Sequence, residues 1–162
     1  MRYRAVVVTV SDKGSVGQRV DTSGPILKEM LEKAYDVADV IIVPDEAPII
    51  AETIKDQIDR RGIDLIVTTG GTGVGPRDVT PEATRLVIEK ELPGFAEAMR
   101  MESYRITPFA LISRAVCGIR GQSIVVNLPG SPKAAAECLS FVEAAIPHAL
   151  EKAKGDPTDC AR

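Results

Sequence analysis

The stretch Thr68-Thr69-Gly70-Gly71-Thr72-Gly73-Val74-Gly75-Pro76-Arg77-Asp78 concentrates residue types that bind anions. Glycine takes positive φ freely and leaves its backbone amide open to a ligand. Consecutive amides in such a turn form a concave anion nest, and the threonine hydroxyls add neutral donors. The spacing excludes two familiar phosphate loops. GxxxxGK[ST] is absent, so this is not a Walker loop, and the glycines fall as GGxGxG rather than in the dinucleotide pattern. A glycine cluster alone reads equally well as a tight strand-to-helix turn. Four glycines together with Pro76, Arg77 and Asp78 shift the reading toward a phosphate-bearing ligand.

Three other polar turns carry chemistry: Ser11-Asp12, Pro44-Asp45-Glu46, and Asn127-Leu128-Pro129-Gly130-Ser131-Pro132. Each follows an apolar run that reads as a strand. In open α/β sheets, ligands bind beyond the carboxyl ends of the strands. If these strands are parallel neighbours, one edge collects Asp12, Asp45 and Asp78 with two glycine turns. Hard carboxylate oxygens suit Mg²⁺, and phosphates complete its shell. Two acids there would repel a bare triphosphate, so a cation is expected between them. Taken singly, Asp45 reads as a loop acid and Asp78 as a turn or cap residue. The turn from Asn127 reads as strand termination with Ser131 capping the next helix, or as a second anion cradle at that helix's amino end.

The elements that must position these turns follow from periodicity. Ala5–Val10 is a β-branched strand ended by the turn signal Ser11–Gly14. A helix opens near Thr22-Ser23-Gly24-Pro25, with Ser or Thr as its cap. Val37–Val43 is a second strand, stopped by Pro44. Residues 49–58 form an amphipathic helix closed near Gly62. Ile63–Thr69 is the clearest strand, and Thr80-Pro81-Glu82 then opens a helix with Thr80 as cap. Residues 95–104 read as helix, whereas 108–119 is open between helix and strand. Ser123–Leu128 is a buried strand. An alanine-rich helix follows to about Lys154, with a kink at Pro147. The alternation predicts an α/β fold, a three-layer α/β/α sandwich on a mostly parallel central sheet. Residues 1–154 read as one domain and 155–162 as a frayed tail.

Composition narrows the function classes. The chain has 162 residues, 44% of them hydrophobic and only 4% aromatic, so its core is aliphatic. A net charge of −3 argues against electrostatic capture of nucleic acid. Cys117, Cys138 and Cys160 are far apart and odd in number, which suggests reduced thiols rather than a zinc knuckle or disulfide framework. No stretch approaches the ~20 apolar residues of a membrane helix, and the amino-terminal apolar run is too short for a signal peptide. A cytoplasmic location is expected. His148 reads as structural or exposed, with no Cys or His partner nearby. Arg105, Arg114 and Arg120 read as solvated, and Glu89-Lys90-Glu91 as a helix surface.

Taken jointly, Val10-Ser11-Asp12, Pro44-Asp45-Glu46, Thr68 to Gly73, Gly75 to Glu82 and Asn127 to Pro132 resemble the MoaB/Mog family of molybdenum cofactor biosynthesis proteins, which is similar also to the amino-terminal domain of gephyrin. Gly94-Phe95, Glu97 to Arg100 and Ser113-Arg114 extend the likeness along nearly the whole chain. The resemblance implies molybdopterin adenylyltransferase activity, with molybdopterin and ATP as substrates, Mg²⁺ as cofactor and pyrophosphate as by-product. It implies Asp45 and Asp78 as catalytic and metal-binding residues. Ser11, Asp12, Thr69, Gly70, Gly71, Thr72 and Gly73 would bind the nucleotide, and Ser113, Asn127, Pro129, Gly130 and Ser131 the pterin. It further implies a homotrimer and transfer of product to a molybdate-insertion protein. Three other readings compete: a non-catalytic pterin-binding scaffold of the same family, molybdate insertion itself, and general nucleotide hydrolysis. The chain is too short for the extra domains that insertion proteins carry. It also lacks a P-loop lysine for hydrolysis.

Overall fold

In the computed structural model, which describes residues 1–160, a six-stranded sheet runs in the order β2-β1-β3-β6-β5-β4. Residues 161 and 162 of the expected tail lie outside the described residues. The strands are β1 (Arg4–Val10), β2 (Asp36–Val43), β3 (Leu65–Thr69), β4 (Lys90–Glu91), β5 (Cys117–Arg120) and β6 (Ser123–Leu128). β2, β1, β3 and β6 are parallel, while β5 and β4 close the sheet antiparallel.

Strand alternation sorts the core into two layers. Ala5, Val7, Leu65, Val67, Ile124 and Val126 face one side. They pack there beneath α2 (Ser23–Glu32), α5 (Pro93–Tyr104), α6 (Pro132–Val142) and α7 (Ile146–Ala153). Val6, Val8, Ile66 and Val125 face the other side, beneath α3 (Ala47–Lys55) and α4 (Thr80–Val87). Both faces of β1, β3 and β6 are covered, which is why these strands read as continuous apolar runs. β2 is an edge strand and keeps Asp36 and Asp39 exposed.

Several local expectations change. Ser11–Gly14 is not a simple turn: a short helix α1 (Asp12–Ser15) forms, because Ser11 Oγ accepts from Gly14 N at 2.9 Å. The start of α2 is capped by Asp21, whose Oδ1 accepts from Gly24 N at 3.0 Å. Thr22 is already helical in φ and ψ and makes no side-chain cap bond. Thr80 does not cap α4 either, since its hydroxyl donates to the Gly70 carbonyl at 2.8 Å. Glu89-Lys90-Glu91 is not a helix surface. Lys90 and Glu91 are β4, paired with Ile119 and Gly118, and a two-residue strand has no period to read. The open segment resolves into a 3₁₀ turn (Pro108–Ile112) followed by β5. The long carboxyl-terminal helix breaks at a 3₁₀ turn, Glu143–Ala145, with Pro147 inside the first turn of α7. Proline cannot donate to the carbonyl four residues back, so one helix ends and another begins.

Candidate active site

Register brings the four polar turns to one edge. Val10 lies opposite Val43, Thr9 opposite Thr69, and Thr69 opposite Leu128. The segments leaving β1, β2, β3 and β6 therefore emerge side by side.

The first two turns lock each other. Asp12 N donates to Asp45 Oδ2 at 2.8 Å, and Asp45 N donates to Asp12 Oδ1 at 2.9 Å. Arg77 then forks onto Asp12 through two bonds of 3.0 Å and reaches Glu46 at 2.8 Å. Its guanidinium holds the Asp12 carboxyl below the usual carboxylate range. The Asp45 carboxyl moves the other way. Burial pushes it up, and the charges of Asp12 and Asp78 add to that against the amide bond from Asp12.

The glycine loop is shaped by what surrounds it. Gly70 and Gly71 have φ of 100° and 69°, a region closed to most side chains. A β-carbon on Gly70 would lie 2.4 Å from the Val10 carbonyl oxygen, and one on Gly71 would lie 2.3 Å from Thr80 Oγ1 and 3.2 Å from Asp45 Oδ1. Gly75 N donates to Asp78 Oδ2 at 2.9 Å, and a β-carbon on Gly73 or Gly75 would crowd that same oxygen at 3.0 or 2.9 Å. At these glycines the loop therefore runs too close to the two carboxylates for a side chain. The turn after β6 abuts it: Thr69 Oγ1 donates to the Pro129 carbonyl at 2.7 Å, and a β-carbon on Gly130 would sit 3.3 Å from Gly70 Cα.

Two cavities flank this loop. One, of about 540 Å³, is lined by Ser11, Asp12, Asp45, Thr69, Gly70 and Ser131. The other, of about 430 Å³, is lined by Thr72, Gly73, Ser113, Asn127 and Pro129. Gly71, Asp78 and Gly130 line both. Every expected site residue is therefore in the wall of one or both. Thr72 and Gly73, expected to bind nucleotide, line the second cavity with Ser113 and Asn127, and Ser131, expected to bind pterin, lines the first. Ser131 Oγ also accepts from Ala134 N at the start of α6, at 3.4 Å.

The cavities differ in chemistry. The first holds Asp12, Asp21, Asp45 and Asp78 with the cations Lys13 and Arg19, neither of which sequence reading had singled out. The second is walled by Met99, Ile106, Phe109, Ile112 and Cys138. Asn127 is fully buried there. Its Nδ2 donates to Thr68 Oγ1 at 3.0 Å and Thr84 Oγ1 at 2.9 Å, and its Oδ1 accepts from Val116 N at 3.1 Å. Its bonds run into the fold, so it fixes the wall more than it offers donors to a ligand.

Asp45 and Asp78 are the carboxylates expected to hold a metal. Among the described residues no group of three or more His, Cys, Asp or Glu converges as a self-sufficient metal site. A pair of carboxylates is nonetheless what Mg²⁺ uses when phosphates complete its shell. The donor set fits on that condition, and the desolvated Asp45 beside two like charges is a place where a cation relieves repulsion.

Of the three arginines read as solvated, Arg114 and Arg120 are bonded into the fold and Arg105 is exposed as expected. Arg77 joins three loops, Arg114 bonds the glycine loop, and Arg120 forks onto Asp59. Arg105 pairs only with Glu102 on the surface. His148 does meet a cysteine, with Nε2 3.3 Å from Cys160 Sγ, because the tail returns across α7. Those contacts join residues that are mostly far apart in sequence, and only Arg77, inside the glycine loop, carried a local signal. No helix is long and apolar enough to cross a membrane, among the described residues.

Comparison with known proteins gives a consistent relationship. Residues 6–148 match the family described as "Probable molybdopterin binding domain". The molybdenum cofactor synthesis protein cinnamon of Drosophila melanogaster is 46% identical over 89% of this chain, which spans only 24% of that longer protein. Molybdopterin adenylyltransferase of Helicobacter pylori is 42% identical, covering 93% of this chain and 87% of its own length. The crystal structure of the molybdopterin biosynthesis enzyme MoaB of Thermus thermophilus superposes with a TM-score of 0.89 at 47% identity, over 97% of this chain and 99% of that one. The tungsten cofactor synthesizing protein MoaB of Pyrococcus furiosus gives 0.87 at 37%, over 94% and 98%. A chain matched by that family over most of its length, with relatives this similar in sequence and structure, belongs to the molybdopterin-binding domain family of molybdenum cofactor biosynthesis proteins.

Proposed function

We propose that this chain is a molybdopterin adenylyltransferase, forming adenylyl-molybdopterin and pyrophosphate from molybdopterin and ATP. One observation carries the reading: a charged cavity and an apolar cavity meet at Gly71, Asp78 and Gly130. The charged one suits the polyphosphate and the apolar one a flat heterocycle. Their shared wall is where a phosphate from each ligand would come together.

The chemistry is a displacement at phosphorus. A terminal phosphate oxygen of molybdopterin attacks the α-phosphorus of ATP, the bond to the bridging oxygen breaks, and pyrophosphate leaves with that electron pair. Such transfer needs alignment and charge neutralisation, so no protein nucleophile is required. In this reading the amide of Gly71 faces the phosphates, the Gly70 amide being held by the Leu128 carbonyl at 3.1 Å, and Lys13 and Arg19 accept the departing charge. The apolar wall keeps water from the α-phosphorus. Mg²⁺ bound by Asp45 and Asp78 would supply further charge neutralisation at the phosphates.

The reading extends to assembly. A homotrimer is proposed, supported by Tyr104, Ile106, Phe109, Leu111 and Ile112, which leave a run of large apolar side chains exposed on one segment. Product transfer to a molybdate-insertion protein follows from the chemistry of the product. We take 1–154 as the single functional domain, 155–162 as a tail, and the cytoplasm as its compartment, which three unpaired cysteines support. The deciding experiment incubates the purified chain with molybdopterin and Mg-ATP. Equimolar pyrophosphate and adenylyl-molybdopterin are expected. Tight molybdopterin binding with no pyrophosphate would make the chain a non-catalytic scaffold instead.

A further inference from the structure

The glycine loop has little internal structure between Thr72 and Asp78, yet it forms part of both cavities. Its own bonds there are few: Gly75 N to Asp78 Oδ2 and Asp78 N to Gly75 O. Arg77 ties its outer end to Asp12 and Glu46, and its backbone carbonyls are fixed by a distant segment, the link between the 3₁₀ turn Pro108–Ile112 and β5. Arg114 N donates to the Thr72 carbonyl at 2.8 Å, and the Arg114 guanidinium donates to the Gly73 carbonyl at 2.7 Å and the Asp78 carbonyl at 2.9 Å. Its remaining nitrogen pairs with Glu82 in the first turn of α4. No other side chain among the described residues bonds the carbonyls of Gly73 or Asp78. Arg114 lines neither cavity, so it grips the loop from behind. Its chain neighbours Ser113 and Ala115 do line the second cavity, and Arg100 ties that wall to α5 through the Ala115 carbonyl at 3.0 Å.

We infer that Arg114 is a positioning residue for adenylyl transfer, holding Asp78 and the glycine loop in register with the wall of the apolar cavity. The inference rests on the transferase reading above. Its physical basis is the planar guanidinium fork. Three donors in fixed geometry bridge two carbonyls of an irregular loop and a carboxylate of the following helix. A lysine supplies one point charge and cannot span them. Because the same short segment carries Ser113 and Ala115, occupation of the apolar cavity is transmitted to the backbone that sets Asp78.

The test compares the full-length Arg114→Gln and Arg114→Lys variants with wild type and with Arg105→Gln, a control whose side chain pairs only with Glu102 on the surface. Amide hydrogen exchange of residues 72–78 is expected to accelerate at least about tenfold in Arg114→Gln as the loop opens locally, with β3 and β6 unchanged. Adenylylation kcat should fall about 100-fold, the effect expected of a misplacement near 1 Å. The KM values for both substrates should change little, and Arg114→Lys should recover part of the rate. Wild-type exchange in that segment would overturn the anchoring. A lowered melting temperature with kcat per folded molecule unchanged would reduce Arg114 to a structural role and also overturn the inference. A wild-type chain that forms no adenylyl product would instead sink the transferase reading, and with it the catalytic half of this inference.

Discussion

The two cavities share three residues and little else. One gathers four aspartates and two cations around backbone amides, with Arg77 binding Asp12 and Glu46 beside it. The other is walled mostly by apolar side chains, with Arg100 and Glu137 also in its lining, and is stiffened by a buried Asn127 network. The contrast teaches a division of labour. In the proposed reading, charge is handled where half-buried carboxylates crowd the glycine backbone, and shape where side chains are mostly apolar. The proposed function puts catalysis at the seam between them.

That division can be broken most severely through the charged side. Removing divalent cations with a chelator is expected to lower adenylylation by at least about 100-fold, since a bound cation contributes several kcal/mol of charge stabilisation at transferring phosphates. Molybdopterin affinity should change far less. Equal losses on both would mean the two cavities are not chemically distinct.

The apolar side is tested through its frame. Asn127→Ala leaves Val116 N, Thr68 Oγ1 and Thr84 Oγ1 without their partner in a fully buried position. A loss of about 3 kcal/mol in denaturant unfolding is expected from orphaned buried polar groups. A loss below about 1 kcal/mol would show that the network does not hold that wall. Filling the cavity asks the complementary question. Ala134 lines only the second cavity. Ala134→Phe should weaken molybdopterin binding at least about tenfold, or 1.4 kcal/mol, with Mg-ATP binding unaltered. Weakened Mg-ATP binding would place the nucleotide on the wrong side.

The smallest effect is a baseline remote from both cavities. Arg120 forks onto Asp59 at 3.0 and 2.6 Å and holds that carboxyl below its usual range. A depressed folded pKa means stability that is present above the unfolded value near 3.9 and is lost as pH falls through the folded value. Asp59→Asn should therefore cost less than about 1 kcal/mol at pH 7, as exposed pairs do. The difference from wild type should begin to shrink below about pH 4 and vanish below the depressed folded value. A gap that persists in acid would assign the loss to something other than this ion pair.

The parallel half of the molecule was legible because each of its strands ends in a turn with unusual residues. β1, β3 and β6 are apolar runs covered on both faces, and the loops after β1, β2, β3 and β6 carry the aspartates and glycines. The antiparallel half was not. Lys90–Glu91 is two exposed residues whose strand character depends wholly on Ile119 and Gly118 across the sheet. Capping was misassigned for a similar reason. Thr80 has the right type for a cap, but Gly70 offers it a carbonyl from ten residues earlier. Within the site, sequence located the carboxylates and glycines without showing that Thr72 and Gly73 turn toward the apolar side. The roles of Arg77 and Arg114 depend on partners brought together only by folding.

Asp78 lies on the seam, and one measurement bears on it directly: single-turnover adenylylation by Asp78→Asn with both substrates saturating. The division proposed here predicts a rate about 100- to 1000-fold below wild type, the scale for losing one preorganised electrostatic group, with both substrates still bound. Product formation at the wild-type rate, with molybdopterin and Mg-ATP bound normally, would contradict it.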